Sequence, residues 1–309
     1  MSSPPHRRVG RFAPSPTGPL HFGSLVAAVG SALEARCDGG RWLVRIEDID
    51  LPRTQSGADR AILRELERLG FVWDEQPVWQ SERAELYRAA LNQLSAADRT
   101  YGCACSRREI ADSAPATGGA HRYPGTCRGG LPPGRVARST RLRVDAGQAD
   151  VVIHFADGVQ GEIVQNVECE IGDFVLDRAD GQIAYQLAVV VDDAAQGVTQ
   201  VVRGADLLDS TARQILLQRM LGLPTPSYAH LPVALDGNGD KLSKQTLARP
   251  IDTLPAAQLL CATLEFLGQA PPAALQHESQ SAVWAWAARH WSLSRVPCIR
   301  ALPAPVLCC

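Results

Sequence analysis

Arg11-Phe12-Ala13-Pro14-Ser15-Pro16-Thr17-Gly18-Pro19-Leu20-His21-Phe22-Gly23-Ser24 is the stretch on which the fold turns. Val9 to Ala13 reads as a short strand. The prolines that follow stiffen the loop, because each fixes φ and removes a donor. From Ser24 the apolar residues Leu25, Val26, Val29 and Leu33 predict a helix to about Arg36, stopped by Gly39-Gly40. His21-Phe22-Gly23-Ser24 therefore sits at a helix start. Unpaired N–H groups and the positive end of the helix dipole favour phosphates there. Gly23 permits close backbone approach. His21 can donate a hydrogen bond to a phosphate oxygen whose charge grows during displacement at an α-phosphate.

Working outward, Trp42 to Ile46 reads as a buried strand and Ser56 to Gly70 as an amphipathic helix with Ile62, Leu63, Leu66 and Leu69 inward. Ser81 to Leu94 predicts another helix. This alternation implies a parallel sheet with helices on its faces, an α/β fold. Arg99 to Pro133, with clustered cysteines and Gly-Gly and Pro-Pro pairs, breaks the rhythm and reads as an insertion. Strand-like segments follow at Ser139 to Val144, Val151 to Phe155 and Phe174 to Asp177. Ile183 to Val191 is an apolar run closed by Asp192-Asp193. Ser210 to Leu221 predicts a helix, and Pro255 to Trp291 two or three more. The expected organisation is 1–98 and 181–250 as two halves of one catalytic domain, 99–180 as the insertion and 251–309 as a small helical region.

A second candidate phosphate element is Lys241-Leu242-Ser243-Lys244-Gln245, carried after the glycine- and asparagine-rich Asp236 to Asp240. Two lysines three residues apart on a loop can close over a polyphosphate as point charges. Neither Gly-x-Gly-x-x-Gly nor a Walker-type loop occurs, which moves dinucleotide and P-loop chemistry back.

The chain has 309 residues, 45% of them hydrophobic and 21% charged, ordinary for a soluble globular protein. Its apolar runs are too short to span a bilayer and no signal-type region follows the basic N-terminus, so a cytoplasmic protein with no membrane partner is expected. Nine cysteines, scattered and odd in number, argue against a disulfide framework. Cys308-Cys309 reads as a tail without a role. From Cys103 to Arg143, eight arginines face only Glu109 and Asp112, a segment of +6; the formal charge of −2 leaves −8 for the rest. Such a segment suits phosphates, and arginine's planar fork matches their oxygens.

Taken together, Arg11 to Gly18, His21-Phe22-Gly23, Arg45-Ile46-Glu47-Asp48, Asp173 to Arg178, Tyr185 to Ala188, Val190 to Asp193, Val202 to Leu208 and the lysine loop resemble the glutamyl-tRNA synthetases, in that family's order over roughly residues 7 to 250. The two phosphate motifs resemble the HIGH and KMSKS signatures of class I aminoacyl-tRNA synthetases. The resemblance implies a doubly wound, Rossmann-like parallel nucleotide-binding domain, with ATP at the carboxyl ends of the strands, as is general for open α/β sheets. It implies His21 and Lys244 as catalytic residues, and His21, Gly23, Ser24, Lys241 and Lys244 around ATP, which enters with Mg²⁺. It implies Arg11, Ser15, Glu47, Tyr185 and Arg203 around glutamate. From the residues alone, the favoured reading is a cross-strand salt bridge for Arg45 and Glu47 and a core aromatic for Tyr185. Three departures stand out: Ser24 where class I motifs often end in histidine, Leu242 for the usual methionine, and Val189 where asparagine is common, which is expected to alter the hold on glutamate.

Cys103, Cys105 and Cys127 are three potential thiolates, and structural Zn²⁺ wants four ligands. Simple coordination chemistry favours His121 as the fourth; the resemblance favours Tyr123, in a Cys-x-Cys…Tyr-x-x-x-Cys pattern. The stretch after Lys244 is too short for the helical anticodon-binding region of the full-length family. Shortened paralogues attach glutamate to the modified base queuosine in the anticodon of tRNA(Asp). The resemblance thus implies that the catalytic domain itself grips that anticodon stem-loop, with 103–143 as a contact; a monomer is expected, though nothing in the sequence speaks to oligomeric state. A minimal enzyme charging a tRNA 3′ end and a non-catalytic tRNA-binding relic are the alternatives.

Overall fold

The computed structural model describes residues 7–37, 39–106, 108–110, 122–145, 151–242, 251 and 254–305. Three parallel strands open the fold: β1 (Val9–Phe12), β2 (Arg41–Ile46) and β3 (Val78–Trp79), with Arg11 beside Leu43 and Arg45 beside Val78. Helix α1 (Phe22–Arg36) joins the first two and starts two residues before Ser24, because His21 is its N-cap. Nearly every side chain of α1 is buried, including Leu25, Val26, Val29 and Leu33. It lies between the sheet and the C-terminal helices. Helix α2 (Ala58–Arg68) turns Ala58, Ile62 and Leu66 inward and ends at Gly70, whose φ of 77° suits a residue without Cβ. A 3₁₀ turn at Gln80–Arg83 leads into α3 (Ala84–Ala96).

The segment expected as an insertion contains more strand than its turn residues suggested. Strands β4 (Thr100–Cys103) and β5 (Ser139–Leu142) pair antiparallel, and β8 (Val175–Asp177) completes that sheet. Between them β6 (Val152–Asp157) and β7 (Gly161–Asn166) form a hairpin, followed by one helical turn, α4 (Val167–Glu170).

The apolar run Ile183 to Val191 forms helix α5 (Tyr185–Ala195); Leu187 to Asp193 are all buried, which accounts for the missing amphipathic period. Next come β9 (Gln200–Gly204), α6 (Leu208–Leu221) and β10 (Ser227–Leu231). Strand β10 pairs parallel with β9 and, through Tyr228 and Asp157, with β6. Thr199 stitches this sheet to the first: its N–H donates to the Val9 carbonyl (3.0 Å) and its hydroxyl accepts from Val9 N–H (2.9 Å). The carboxyl ends of β1, β2, β9 and β10 therefore open on one side.

Strand β11 (Val233–Leu235) pairs with the final β12 (Ala301–Pro303), a strand the composition did not signal. Helices α7 (Ala256–Phe266) and α8 (Gln280–His290) pack on the first core: Phe266 meets Phe22 edge-on at 5.5 Å and Trp284 meets Phe71 at 4.8 Å. Trp291 Nε1 donates to buried Glu34 on α1 (2.7 Å). Among the described residues, no helix is long and apolar enough to cross a membrane.

Candidate active site

A cleft of about 630 Å³ lies at the carboxyl ends of those four strands. Arg11, Ser15, His21, Gly23, Ser24, Glu47, Tyr185, Arg203 and Lys241 all line it. The expected glutamate residues and the described ATP residues thus meet in one place. Lys244, with Ser243 and Gln245, lies outside the described residues. Val189 does not line the cleft: it is buried in the core around α5 and α6, so its apolar character fits packing rather than ligand contact.

At one end, His21 Nδ1 accepts the Ser24 N–H (3.3 Å). His21 is thus the N-cap of α1. This bond leaves the ring proton on Nε2, which is the nitrogen able to donate to a phosphate. A Cβ on Gly23 would lie 3.2 Å from the His21 ring and 3.5 Å from the Leu242 carbonyl. Glycine is thus what lets the ring, the helix start and the lysine loop converge. Leu242 is buried and its N–H donates to Ala234 (2.8 Å), while Lys241 pairs with Asp206 at the cleft rim. Asp236 Oδ1 accepts from Asn238 and Asp240 N–H, folding the loop that carries Lys241.

At the other end, charge dominates. Arg45, fully buried on β2, reaches Asp193 (2.7 Å), Glu47 (3.4 Å) and Asp192 (3.7 Å). Burial alone would lower its pKa, but the attraction of Asp193, Glu47 and Asp192 outweighs that and raises it. Arg11, on β1, donates to Asp193 (3.1 Å) and still lines the cleft. Asp192 is saturated by Gln80, Arg83 and Tyr87 (2.6–2.8 Å). Glu47 follows β2, fixed by its N–H to Pro14 O (3.0 Å). Burial pushes its carboxyl up to about 7 against the pull of Arg45 and Arg11. A ligand ammonium would restore its charge. Arg203, on β9, has different company: His230, Thr211, the Leu207 carbonyl and the Tyr185 hydroxyl (3.5 Å), all neutral acceptors. Among the described residues it makes no ion pair. A cleft holding one uncompensated arginine, a second arginine on its wall and a buried acid suits a zwitterion with an extra carboxylate.

Asp157, Thr211 and His230 were not singled out by sequence reasoning. Asp192-Asp193 ended a readable apolar run, and acids on a buried helix are a signal of a charge partner. Nothing local marked Asp157 or His230.

Outside the cleft, the Cys103, Cys105 and Cys127 sulfurs all lie within 4.8 Å of one another. Cys105 and Cys127 Sγ are 3.6 Å apart, and the Tyr123 hydroxyl is 3.4 Å from Cys103 Sγ and 3.6 Å from Cys105 Sγ. Metal–sulfur bonds of about 2.3 Å and metal–oxygen bonds of about 2.0 Å give tetrahedral edges of about 3.8 and 3.5 Å. The four side chains fit a metal of that kind. Burial disfavours a Cys103 thiolate, but hydrogen bonds with Tyr123 and Arg141 bring the thiol down to about 7. His121 lies outside the described residues. Part of the arginine charge here is spent inside the protein. Arg128 grips Asp173 with two bonds (2.6 and 2.9 Å), Arg141 stacks on the Tyr123 ring (3.8 Å) and Arg135 pairs with Glu109. Arg122 and Arg138 are exposed.

Residues 8–256 match the family model for class I tRNA synthetases (E and Q), catalytic domain. The chain is 59% identical to the Glutamyl-Q tRNA(Asp) synthetase of Aromatoleum aromaticum, over 96% of this chain and 92% of that one. It is 59% identical to the protein of that name from Dechloromonas aromatica, over 93% and 95%. Among solved structures, a glutamate tRNA ligase from Elizabethkingia meningosepticum, in complex with its amino acid, superposes with a TM-score of 0.77 at 26% identity, covering 96% of this chain and 67% of that one. With this cleft and these relatives, the chain belongs to the class I glutamyl- and glutaminyl-tRNA synthetases and, within that ligase family, to the Glutamyl-Q tRNA(Asp) synthetases.

Proposed function

We propose that the chain activates glutamate with ATP and transfers it to the queuosine base in the anticodon of tRNA(Asp). The observation that carries the glutamate half is the convergence of Arg11, Ser15, Glu47, Tyr185 and Arg203 in the cleft that also holds His21 and Gly23. Arg203 and Arg11 take the two carboxylates, Glu47 takes the α-ammonium, and the Ser15 and Tyr185 hydroxyls complete the pocket. An α-carboxylate oxygen attacks the α-phosphorus of ATP, the bond to the β-phosphate breaks, and pyrophosphate leaves. ATP arrives with Mg²⁺, which offsets its charge. His21 Nε2–H, with Gly23 at the helix start allowing close approach, meets charge growing on the α-phosphate. Lys241 and Lys244 close over the β- and γ-phosphates. Attack by the base on the acyl carbon then releases AMP.

The cysteine cluster, with Tyr123 as fourth ligand, would hold a structural Zn²⁺. Its role is to order a segment with little core, from which Arg122 and Arg138 face the anticodon stem-loop. In this reading 1–98 and 181–250 are the catalytic halves, 99–180 the insertion and 251–309 the C-terminal region of a cytoplasmic monomer.

The test is to incubate the protein with ATP, labelled glutamate and tRNA(Asp) with or without queuosine. Label on the base, and only when queuosine is present, is expected. Label on the 3′ ribose, or label independent of queuosine, sinks the transfer step. For the metal, Cys127→Ser should lose zinc by elemental analysis; unchanged zinc content removes that assignment.

A further inference from the structure

Asp157, His230 and Thr211 form a buried chain behind Arg203 that no step above uses. We infer that His230 is a positioning residue: as a neutral acceptor held by Asp157, it aims Arg203 at the substrate carboxylate without cancelling its charge. The inference rests on the glutamate reading of the cleft.

His230, on β10, is wholly buried. Its Nε2 lies 3.0 Å from Arg203 Nε, and arginine can only donate, so Nε2 is the acceptor. The ring proton is then on Nδ1, which donates to Asp157 Oδ2 at 2.5 Å. Asp157 is itself locked, because its Oδ1 accepts the N–H groups of Val159, Gln160 and His230 at 2.9–3.0 Å. Thr211 Oγ1 and the Leu207 carbonyl take both protons of Arg203 Nη2, at 2.9 and 3.3 Å. Three of the five guanidinium protons are thus held away from the cleft, a fourth reaches the Tyr185 hydroxyl from Nη1 at 3.5 Å, and Nη1 lies on the cleft side.

The choice of partner matters. A carboxylate in place of the imidazole would make Arg203 an internal ion pair, as Arg45 is. A protonated imidazole would repel it. Burial keeps His230 below its usual range against the pull of Asp157, with Arg203 opposing protonation and Asp206 favouring it. The same holding acid comes from the β6–β7 hairpin, so a segment far from the phosphate end helps to shape the amino-acid pocket.

Glutamate-dependent ATP–pyrophosphate exchange tests this with separate KM values for glutamate and ATP. Losing a hydrogen bond to a charged group is expected to raise the glutamate KM of His230→Leu about ten- to a hundredfold, with the ATP KM within about twofold. His230→Gln can donate to Asp157 and accept from Arg203, and should return the glutamate KM to within about threefold of the parent. A glutamate KM unchanged in the leucine variant, an equal rise in both KM values, or no recovery in the glutamine variant overturns the inference. Where circular dichroism shows His230→Leu unfolded, Thr211→Val carries the same selective rise or refutes it. A parent protein without exchange refutes the glutamate reading instead. In that case ¹⁵N spectra of the ring decide: a neutral His230 protonated on Nδ1 at pH 6 supports the aiming role, and a cationic ring there overturns it.

Discussion

Arg45 and Arg203 are both buried on the parallel strands, and they meet opposite surroundings. Arg45 has Asp193, Asp192 and Glu47 within 4 Å and does not line the cleft. Arg203 has an imidazole, two hydroxyls and a carbonyl, and it does line the cleft. The first arginine satisfies its charge within the protein. The second has its geometry satisfied and its charge left over. An uncompensated buried cation is costly to keep, so the surplus marks where an anionic ligand belongs. Arg11 stands between them, paired with Asp193 on one side and open to the cleft on the other.

The contrast can be broken by removing each charge. Arg45→Met leaves three buried carboxyl groups without their shared cation and should cost about 3–5 kcal/mol of stability in urea unfolding. A loss below about 1 kcal/mol would mean that the acids do not depend on Arg45. Next in size is the pH response of Glu47. Its carboxyl sits at about 7 in the empty protein and must ionise to receive an ammonium. The kcat/KM for glutamate should therefore fall about tenfold per pH unit below that point. Stability runs the other way: between the ordinary value of 4.5 and about 7 the folded protein keeps a proton that the unfolded chain has released. Stability from this group is full below 4.5 and is lost as pH rises through about 7. Glu47→Gln should flatten both profiles, and a pH-rate curve unchanged in that variant would separate Glu47 from the ammonium. The smallest effect is expected at the phosphate end. Gly23→Ala places a Cβ 3.2 Å from the His21 ring, and a forced shift there should raise the ATP KM a few-fold and leave the glutamate KM alone. A glutamate KM that moves equally would show that the two ends of the cleft are not separable.

Much of this site was legible in the sequence because its residues stand at strand and helix ends. Arg11, His21 and Glu47 each sit at or next to the end of an element whose period or punctuation could be read, Tyr185 and Arg203 were marked by the resemblance alone, and the parallel topology brings these ends together. What was not legible depends on contacts across the sheet. His230 is one histidine in a short apolar strand, and its meaning comes from Asp157, 73 residues away on a hairpin. Helix α5 was hidden because a fully buried helix has no polar face to mark its period. Val189 shows the converse: a position that looked like a ligand contact packs in the core. The arginines of 103–143 were countable, but counting could not show that Arg128 and Arg141 are held by Asp173 and Tyr123.

Glutamate-dependent pyrophosphate exchange by Arg203→Leu, with folding checked by its melting temperature, tests the central claim most directly. We expect kcat/KM for glutamate to fall about a hundredfold or more, about 3 kcal/mol of lost carboxylate binding, with the melting temperature unchanged. Exchange within about threefold of the parent would contradict a substrate carboxylate on Arg203.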